Sequence, residues 1–249
     1  MGSSTTAAPT AVVPFRSLLA DGAALTDDER RHHGRVIYRM LTGNDPADAE
    51  IESDDSFDRH VMASILAVSA AEHGTVGERA GLSTFDLLGL IAEIFPCSDA
   101  SRLLINGVAM LVEDDEITMV RDLLSAQRST EGNVGRWLAA MVARRALEPN
   151  HLWEDLGLRQ RSELSRLLIR HFAPLARKNT GNMRWKRFFY RMLCEDDGFV
   201  MCTTPVCTQC NDFDLCFGEE SGESRMALRR REVAQREAAE NGNERVTAC

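Results

Sequence analysis

The feature that most constrains this chain is a group of four cysteines near its C-terminal end. Cys202, Cys207, Cys210 and Cys216 fall within fifteen residues, with the spacing Cys-x4-Cys-x2-Cys-x5-Cys. The intervening residues include Pro205 and several polar side chains, and they show no apolar periodicity that could build a core. Thiolates are soft ligands that suit iron–sulfur clusters and tetrahedral zinc. The sequence therefore predicts a cysteine-rich metal-binding loop that is ordered by its metal.

The cysteine spacing favours an iron–sulfur cluster over zinc without deciding between them. Structural zinc sites commonly pair two Cys-x2-Cys knuckles across a longer spacer, whereas only Cys207 and Cys210 have that spacing here. The first three cysteines match part of the plant-type ferredoxin pattern, although the fourth ferredoxin ligand is distant in sequence. Three interpretations stay open from spacing alone: an iron–sulfur cluster, a structural zinc ion, and free or redox-active thiols.

Composition and charge restrict what the chain binds. Of its 249 residues, 44% are hydrophobic and 27% are charged, which is ordinary for a globular protein. A formal net charge of −9 argues against general nucleic-acid binding. No apolar run approaches the roughly 18 residues of a membrane helix, and no Lys or Arg precedes Arg16 as in a secretory signal. We therefore expect a cytoplasmic protein with no nucleic-acid or membrane partner, in which clustered cysteines indicate metal chemistry.

Apolar residues recur at helical spacing along most of the chain, and no stretch shows sustained two-residue alternation. The clearest example is the broad stripe within 134–142. Caps and periodicity also predict helices at 27–41, 57–72, 83–95, 98–111, 117–124, 164–172 and 185–192, with a short segment from 151. The predicted fold class is all-α, with seven to nine helices.

The predicted helices form a single domain, because the loop around Pro149 is the only strong internal break. The chain is accordingly divided into a flexible leader, a helical domain, the cysteine loop and a charged tail that is partly helical or disordered, at 1–26, 27–200, 201–218 and 219–249. Cys97 is predicted to be a small buried residue. His60 falls near the start of a predicted helix, so a solvated or capping role is expected.

The two predicted helices before the cysteine loop carry a concentration of positive charge. Between Arg159 and Arg191 there are ten Lys or Arg residues against a single acid, Glu163. Guanidinium and ammonium groups bind oxyanions through charge-assisted hydrogen bonds. The stretch is either a solvated face or a surface for an oxyanion, an anionic metal–sulfur cluster or an acidic partner.

Two residues of these helices are candidates for additional metal handling. His171 falls on an apolar face, where a core histidine that donates to a backbone carbonyl is the commoner role and a ligand or proton-handling role is the alternative. Cys194 shares a helix face with Arg184, Arg187 and Arg191, and guanidinium neighbours favour the thiolate. It lies eight residues before the first clustered cysteine. Cys194 is thus either an exposed structural cysteine or a further metal-handling thiol.

The segment from His151 to Gly218 resembles the NifQ family of nitrogen-fixation proteins. The resemblance rests on four runs of sequence: His171-Phe172, Leu175-Ala176-Arg177-Lys178-Asn179-Thr180, Met183 to Tyr190 with Leu193-Cys194, and the cysteine motif through Cys216-Phe217-Gly218. The resemblance implies that the protein is a carrier and not an enzyme. Such a carrier donates molybdenum during assembly of the iron–molybdenum cofactor of nitrogenase. The implied ligands of a molybdenum–iron–sulfur cluster are Cys202, Cys207, Cys210 and Cys216.

The resemblance also implies partners and a use for the basic stretch. The receivers would be the nitrogenase Fe protein and the cofactor scaffold NifEN, and the source would be molybdate or another molybdenum donor. The residues predicted to attract molybdate or the receiving protein are Arg184, Lys186, Arg187 and Arg191. A second hypothesis is that His171 or Cys194 coordinates the molybdenum of the cluster.

Two other classes compete with the carrier. One is a regulatory or interaction protein with a structural zinc in the cysteine loop, and the other is a redox enzyme that uses a cluster for electron transfer. The sequence shows no paired carboxylates, nucleophile elbow, phosphate loop or dinucleotide fingerprint. We therefore expect no ordinary catalysis.

Overall fold

The computed structural model of the chain describes residues 26–98, 103, 109, 111 and 114–196, with the backbone alone at 27 and 194–196. The predicted leader, cysteine loop and charged tail therefore lie outside the described residues, apart from residue 26. So does most of the helix that was predicted over 98–111. The described ranges still cover most of the predicted helical domain, 27–200.

The described residues form ten α-helices and a short 3-10 turn, Pro46–Asp48, with no β-strand among them. In chain order the helices are α1 (Asp27–Thr42), α2 (Asp54–Ala70), α3 (Val76–Ala80), α4 (Thr84–Ile94), α5 (Asp115–Ala126), α6 (Val134–Ala146), α7 (Leu152–Asp155), α8 (Arg161–His171), α9 (Ala173–Lys178) and α10 (Trp185–Asp196). The all-α prediction is confirmed. The count exceeds the predicted seven to nine because α3 and α9 are too short to show a helical period. No helix in the described ranges is long and apolar enough to cross a membrane.

The helix ends follow local hydrogen-bonding signals. Thr26 and Glu29 form a reciprocal capping box at the start of α1, and Gly43 ends that helix in the left-handed conformation. The Ser83 side chain accepts a hydrogen bond from a backbone N–H of α4, at the predicted start. Ser53 caps α2 in the same way, so α2 begins three residues earlier than periodicity alone indicated.

The core is built around α2 and α6. Twelve of the 17 residues of α2 are buried, and nine of the 13 residues of α6. Helices buried to this extent have neighbours on most sides, unlike a surface helix with one apolar stripe. Polar α2 residues are therefore enclosed too, among them Asp58, His60 and Ser64. These enclosed groups need hydrogen-bond partners from other helices.

Two glycines let neighbouring turns approach the central helices closely. Gly81, with φ +72°, ends α3 where an added Cβ would lie 2.6 Å from Arg144 Cβ on α6. Gly157, with φ +69°, follows α7 where an added Cβ would lie 2.6 Å from Val68 Cγ1 and 2.9 Å from the Ser64 carbonyl oxygen on α2. Both positions need a left-handed backbone and the absence of a side chain.

Candidate metal-handling site

Helix α10 leads toward the four predicted cysteine ligands. Cys202, Cys207, Cys210 and Cys216 lie outside the described residues, and α10 ends at Asp196, six residues before the first of them. Among the described residues, no group of three or more His, Cys, Asp or Glu side chains is placed to hold a metal ion. The part of the site that the structure describes is α10, the residues that anchor it and the residues around it. Residues 201–218 are called the cysteine segment below.

Aromatic side chains anchor α10 in the core. Trp185, Phe188, Phe189 and Met192 are buried, as their spacing predicted. The rings of Trp185 and Phe188 meet edge to face, with centroids 5.7 Å apart and planes at 85°. Edge-to-face packing is a favourable arrangement for aromatic pairs. The apolar stripe thus fixes which side of α10 faces the protein.

Lys186 extends the buried side of α10 with an ion pair. It is only 7% exposed, and its Nζ donates to Asp155 Oδ2 at 2.5 Å and to the carbonyl oxygen of Glu148. Asp155 is 4% exposed and also accepts a 3.1 Å hydrogen bond from Asn150. Burial raises the pKa of Asp155, and the charge of Lys186 opposes that rise. This burial argues against the docking role predicted for Lys186, because its charge is already matched inside the protein.

Arg145 links the same pair to the central helices. This buried side chain donates from Nε to the carbonyl oxygen of Asp155 at 2.8 Å. Its two terminal nitrogens donate to the Glu72 carboxylate at 2.9 and 2.8 Å. Bidentate guanidinium–carboxylate contacts are strong and directional. A chain of polar contacts therefore runs from the end of α2 through α6 and α7 to α10.

The other three predicted docking residues, Arg184, Arg187 and Arg191, are half-buried. Arg187 Nε is enclosed and has no hydrogen-bond partner among the described residues. Arg184 borders a cavity of about 10 Å³, which holds roughly one water molecule and no tetrahedral oxyanion. The cavity is also lined by Asn150, His151, Leu152, Leu164, Trp185 and Lys186. This cavity is therefore too small to be an oxyanion site.

His171 occupies a core position, as predicted, but with different partners. It is 1% exposed, with Nε2 2.8 Å from Asp58 Oδ1 and Nδ1 2.9 Å from Thr130 Oγ1. The ring therefore pairs with a carboxylate and a hydroxyl, not with a backbone carbonyl. Burial by itself would raise the pKa of Asp58, but hydrogen bonds from His171 and Arg170 outweigh it and lower that pKa. Metal ligation by His171 would require the loss of one ring contact.

The geometry also separates His171 from the C-terminal half of α10. Tyr190 on α10 donates its hydroxyl hydrogen to Glu116 at the start of α5. Thr130, the partner of His171, follows the other end of α5. The 12 residues of α5 span about 18 Å. His171 thus contacts the loop after α5, and Tyr190 contacts the first turn of α5, which argues against a shared metal site for His171 and the second half of α10.

Two further cysteines lie in the described ranges. Cys97 is a free thiol in the turn after α4, and it is exposed. The prediction that Cys97 is buried was wrong, because Phe95 fills the core at the end of α4 and Pro96 begins an outward turn. Cys194 belongs to the last turn of α10, where only the backbone is described.

Sequence reasoning missed a second buried histidine, His60. It is 2% exposed, with Nδ1 2.7 Å from the Tyr38 hydroxyl and Nε2 3.3 Å from Glu163 Oε2. Burial raises the pKa of Tyr38 to about 12, so its hydroxyl remains protonated. Burial would raise the pKa of Glu163 too, but hydrogen bonds from His60 and Arg159 lower it to about 2.

The solvated role predicted for His60 was wrong because α2 begins at Asp54. This start places His60 nearly two turns inside the helix, three residues after the buried Phe57. The residue before Asp54, Ser53, is a favourable N-cap, and it was the signal that could have moved the predicted start. An i, i+3 spacing from a buried aromatic then places the ring on the inner face.

Much of the basic stretch is neutralised within the protein. Arg166 lies 3.2 Å from Asp54, and Arg170 lies 2.9 Å from Asp58. Arg159 pairs with Glu163 at 2.6 Å. The acidic run that precedes and opens α2 thus supplies partners for α8, more than 100 residues later. The ten-to-one charge ratio describes the segment alone and not the surface of the fold.

The described residues form an all-α fold, and the comparison with known protein families identifies the class of protein as an accessory protein of nitrogen fixation. The NifQ family profile matches residues 61–218, from α2 through the cysteine motif, and the chain belongs to the NifQ family. The resemblance seen in the sequence is thereby confirmed.

Curated relatives in several bacteria are similar in sequence to this chain. The chain is 39% identical to the NifQ homolog of Sinorhizobium fredii (strain NBRC 101917 / NGR234), over 72% of this chain and 78% of that protein. It is 37% identical to NifQ of Rhodobacter capsulatus, over 64% of this chain and 87% of that protein. With NifQ of Azotobacter vinelandii it shares 45% identity, over 43% and 54% of the two chains. No solved structure gives a significant match.

Proposed function

We propose that this protein carries a molybdenum–iron–sulfur cluster and donates its molybdenum for assembly of the nitrogenase iron–molybdenum cofactor. The proposed cluster ligands are Cys202, Cys207, Cys210 and Cys216. The cluster is cargo in this scheme, so the protein acts as a carrier and not as a catalyst. Its setting is the reducing cytoplasm, where clustered thiols remain available to metal.

The observation that carries this proposal is the cysteine motif within the residues that match the NifQ family. The match extends to residue 218, two residues beyond Cys216. Four thiolates in fifteen residues can hold iron directly, and molybdenum joins through bridging sulfides. The motif follows a helix whose first half is fixed in the core by Trp185 and Phe189. A helix anchored in the core that precedes the four cysteines in sequence suits a carrier, because the proposed ligands follow a fixed element of the fold.

The receiving partners are proposed to be the nitrogenase Fe protein and NifEN, with molybdate or another molybdenum donor as the source. Arg184, Arg187 and Arg191 form the proposed docking face for incoming molybdate or the receiver. The half-buried guanidinium groups of these residues support this role, because guanidinium groups bind oxyanions through charge-assisted hydrogen bonds. Lys186 is omitted from the face because it pairs with Asp155.

Metal analysis after anaerobic purification tests the cargo. We expect iron and molybdenum together in the full chain, and loss of both when Cys207 and Cys210 are replaced by Ser. Cys97→Ser is the matched control, since Cys97 is an exposed thiol in the turn after α4, and it should leave the metal content unchanged. Zinc alone would instead support the structural zinc module, and iron alone would support a redox role.

Substitution of the docking face tests how molybdenum arrives. Arg187→Ala and Arg191→Ala together should lower molybdenum content or transfer several-fold while iron stays near normal, because the proposed iron ligands are the four cysteines and not these arginines. Arg121→Ala is the control, since Arg121 is exposed and lies 3.3 Å from its neighbour Asp122. Unchanged molybdenum loading and transfer in the double variant would remove the docking role.

A further inference from the structure

The two halves of α10 are held unequally. In the first half, Trp185, Lys186 and Phe189 are buried, and Lys186 is paired with Asp155 inside the protein. In the second half, Met192 is buried, but its neighbours Tyr190, Arg191 and Leu193 are only half-buried. Segments with fewer buried apolar contacts open at lower free energy than the core. The half that is nearer to the cysteine segment is therefore the easier one to displace.

A hydrogen bond between two helices holds the second half of α10 in place. The Tyr190 hydroxyl donates to Glu116 Oε1 at the N-terminal end of α5. Burial and the neighbouring Glu116 carboxylate raise the pKa of Tyr190 well above its usual range, so the hydroxyl keeps its proton. Glu116 itself is exposed. A cationic group on another protein can therefore reach this carboxylate and compete with Tyr190 for it.

We propose that Tyr190 and Glu116 form a latch, which positions the end of α10 against α5 and opens when the cargo is handed over. Tyr190 is a positioning residue in this scheme, because it acts through the position of α10 and is not one of the proposed cluster ligands. In this scheme the closed latch restrains the last turns of α10, and release of these turns precedes transfer to the receiver. The handover role rests on the proposed carrier function, whereas the latch itself does not.

Removal of the latch should shift the balance toward the open state. A hydrogen bond of this kind contributes about 1 kcal/mol net, which corresponds to roughly a fivefold change in an opening equilibrium. Tyr190→Phe keeps the ring and removes only the hydroxyl. We expect backbone amide exchange in residues 190–196 to rise about fivefold, while exchange in 185–189 stays unchanged. Molybdenum transfer to a purified acceptor should rise by a similar factor, with iron and molybdenum loading unaltered.

The partner residue supplies the test of coupling. Glu116→Ala should reproduce the effect of Tyr190→Phe, and the double variant should differ little from either single one, because all three lack the same contact. Glu116→Gln keeps an oxygen acceptor and should give an intermediate effect. Arg136→Gln is the control, since it breaks a contact between two other helices, the 2.6 Å pair of Arg136 on α6 with Asp86 on α4. That variant should leave exchange in 190–196 and transfer unchanged.

The outcomes separate the latch from the carrier function. Unchanged exchange in 190–196 of Tyr190→Phe, or additive effects of the two substitutions, would overturn the latch. Faster exchange with wild-type transfer would overturn its part in handover. If the wild-type chain holds no molybdenum, the proposed function fails, and the exchange measurements alone decide whether the latch exists.

Discussion

Replacement of Lys186 by Met distinguishes a structural lysine from a docking lysine. Met retains an unbranched apolar chain and removes the charge that meets Asp155 Oδ2 at 2.5 Å. Removal of one partner from a buried ion pair costs about 3–5 kcal/mol, because the other charge is left uncompensated. Asp155 would keep its 3.1 Å hydrogen bond from Asn150. We therefore expect the lower end of that range, about 3 kcal/mol, in the free energy of unfolding.

The loss should depend on pH with a definite sign. Burial already raises the pKa of Asp155 in the wild-type protein, and without Lys186 that pKa should rise further. A carboxyl with a raised pKa in the folded state favours folding when protonated, and this contribution disappears as pH rises through that pKa. The Lys186→Met deficit should therefore be largest near neutral pH and should shrink as the pH falls toward the ordinary carboxyl range.

Urea unfolding followed by circular dichroism at several pH values measures both effects. The double variant Lys186→Met with Asp155→Leu should recover much of the lost stability, because neither charge of this buried pair remains. A single variant with wild-type stability but weakened molybdate or receiver binding would refute the reasoning and restore the docking role. Loss of stability without any recovery in the double variant would show that packing, and not charge, is responsible.

Two further predictions concern the contacts of α2. Glu163→Gln should make the free energy of unfolding less dependent on pH in the acid range. The pKa of Glu163 is lowered to about 2 from 4.5, so the wild-type carboxylate contributes stability that is complete above about pH 4.5 and lost as pH falls toward 2. The difference is about 3 kcal/mol. Gly157→Ala should cost about 2–4 kcal/mol in thermal or urea unfolding, because it adds left-handed strain and a Cβ only 2.6 Å from Val68 Cγ1.

Gly132 supplies the control for Gly157. Gly132 also has a positive φ, of +77°, but nothing lies within 4 Å of an added Cβ. Gly132→Ala should therefore cost only the backbone strain, about 1 kcal/mol. Equal losses at Gly132 and Gly157 would contradict the close approach of the α7 turn to α2. For Glu163, an unchanged wild-type slope between pH 4.5 and 2 in the Gln variant would contradict its pairing with His60.

The sequence was informative where a single helix carries its own signal. The stripe on α10 at Trp185, Phe188 and Phe189 is buried as its spacing predicted, because an apolar face must find the core whatever the neighbouring helix is. The cap at Ser83 also marked the start of α4 correctly. Such features depend on residues three or four positions apart, so they can be recognised without the tertiary structure.

The partners of buried charges could not be predicted in the same way. The spacing of Lys186 within α10 does not reveal that its carboxylate partner is Asp155, on a different helix. Arg170 looked like part of a basic surface, yet its partner Asp58 precedes it by 112 residues. Such pairings depend on how the helices are arranged.

The pairing between α2 and α8 has a consequence for synthesis of the chain. His60 and Glu163 are 103 residues apart, and Asp58 and His171 are 113 apart. At about 5–20 residues per second, α2 emerges from the ribosome on the order of 5–20 seconds before α8. During that interval Asp58 and His60 have no α8 to pair with, so they oppose early collapse of α2 into an apolar core. The fold can therefore close around α2 only after most of the helical region has been made.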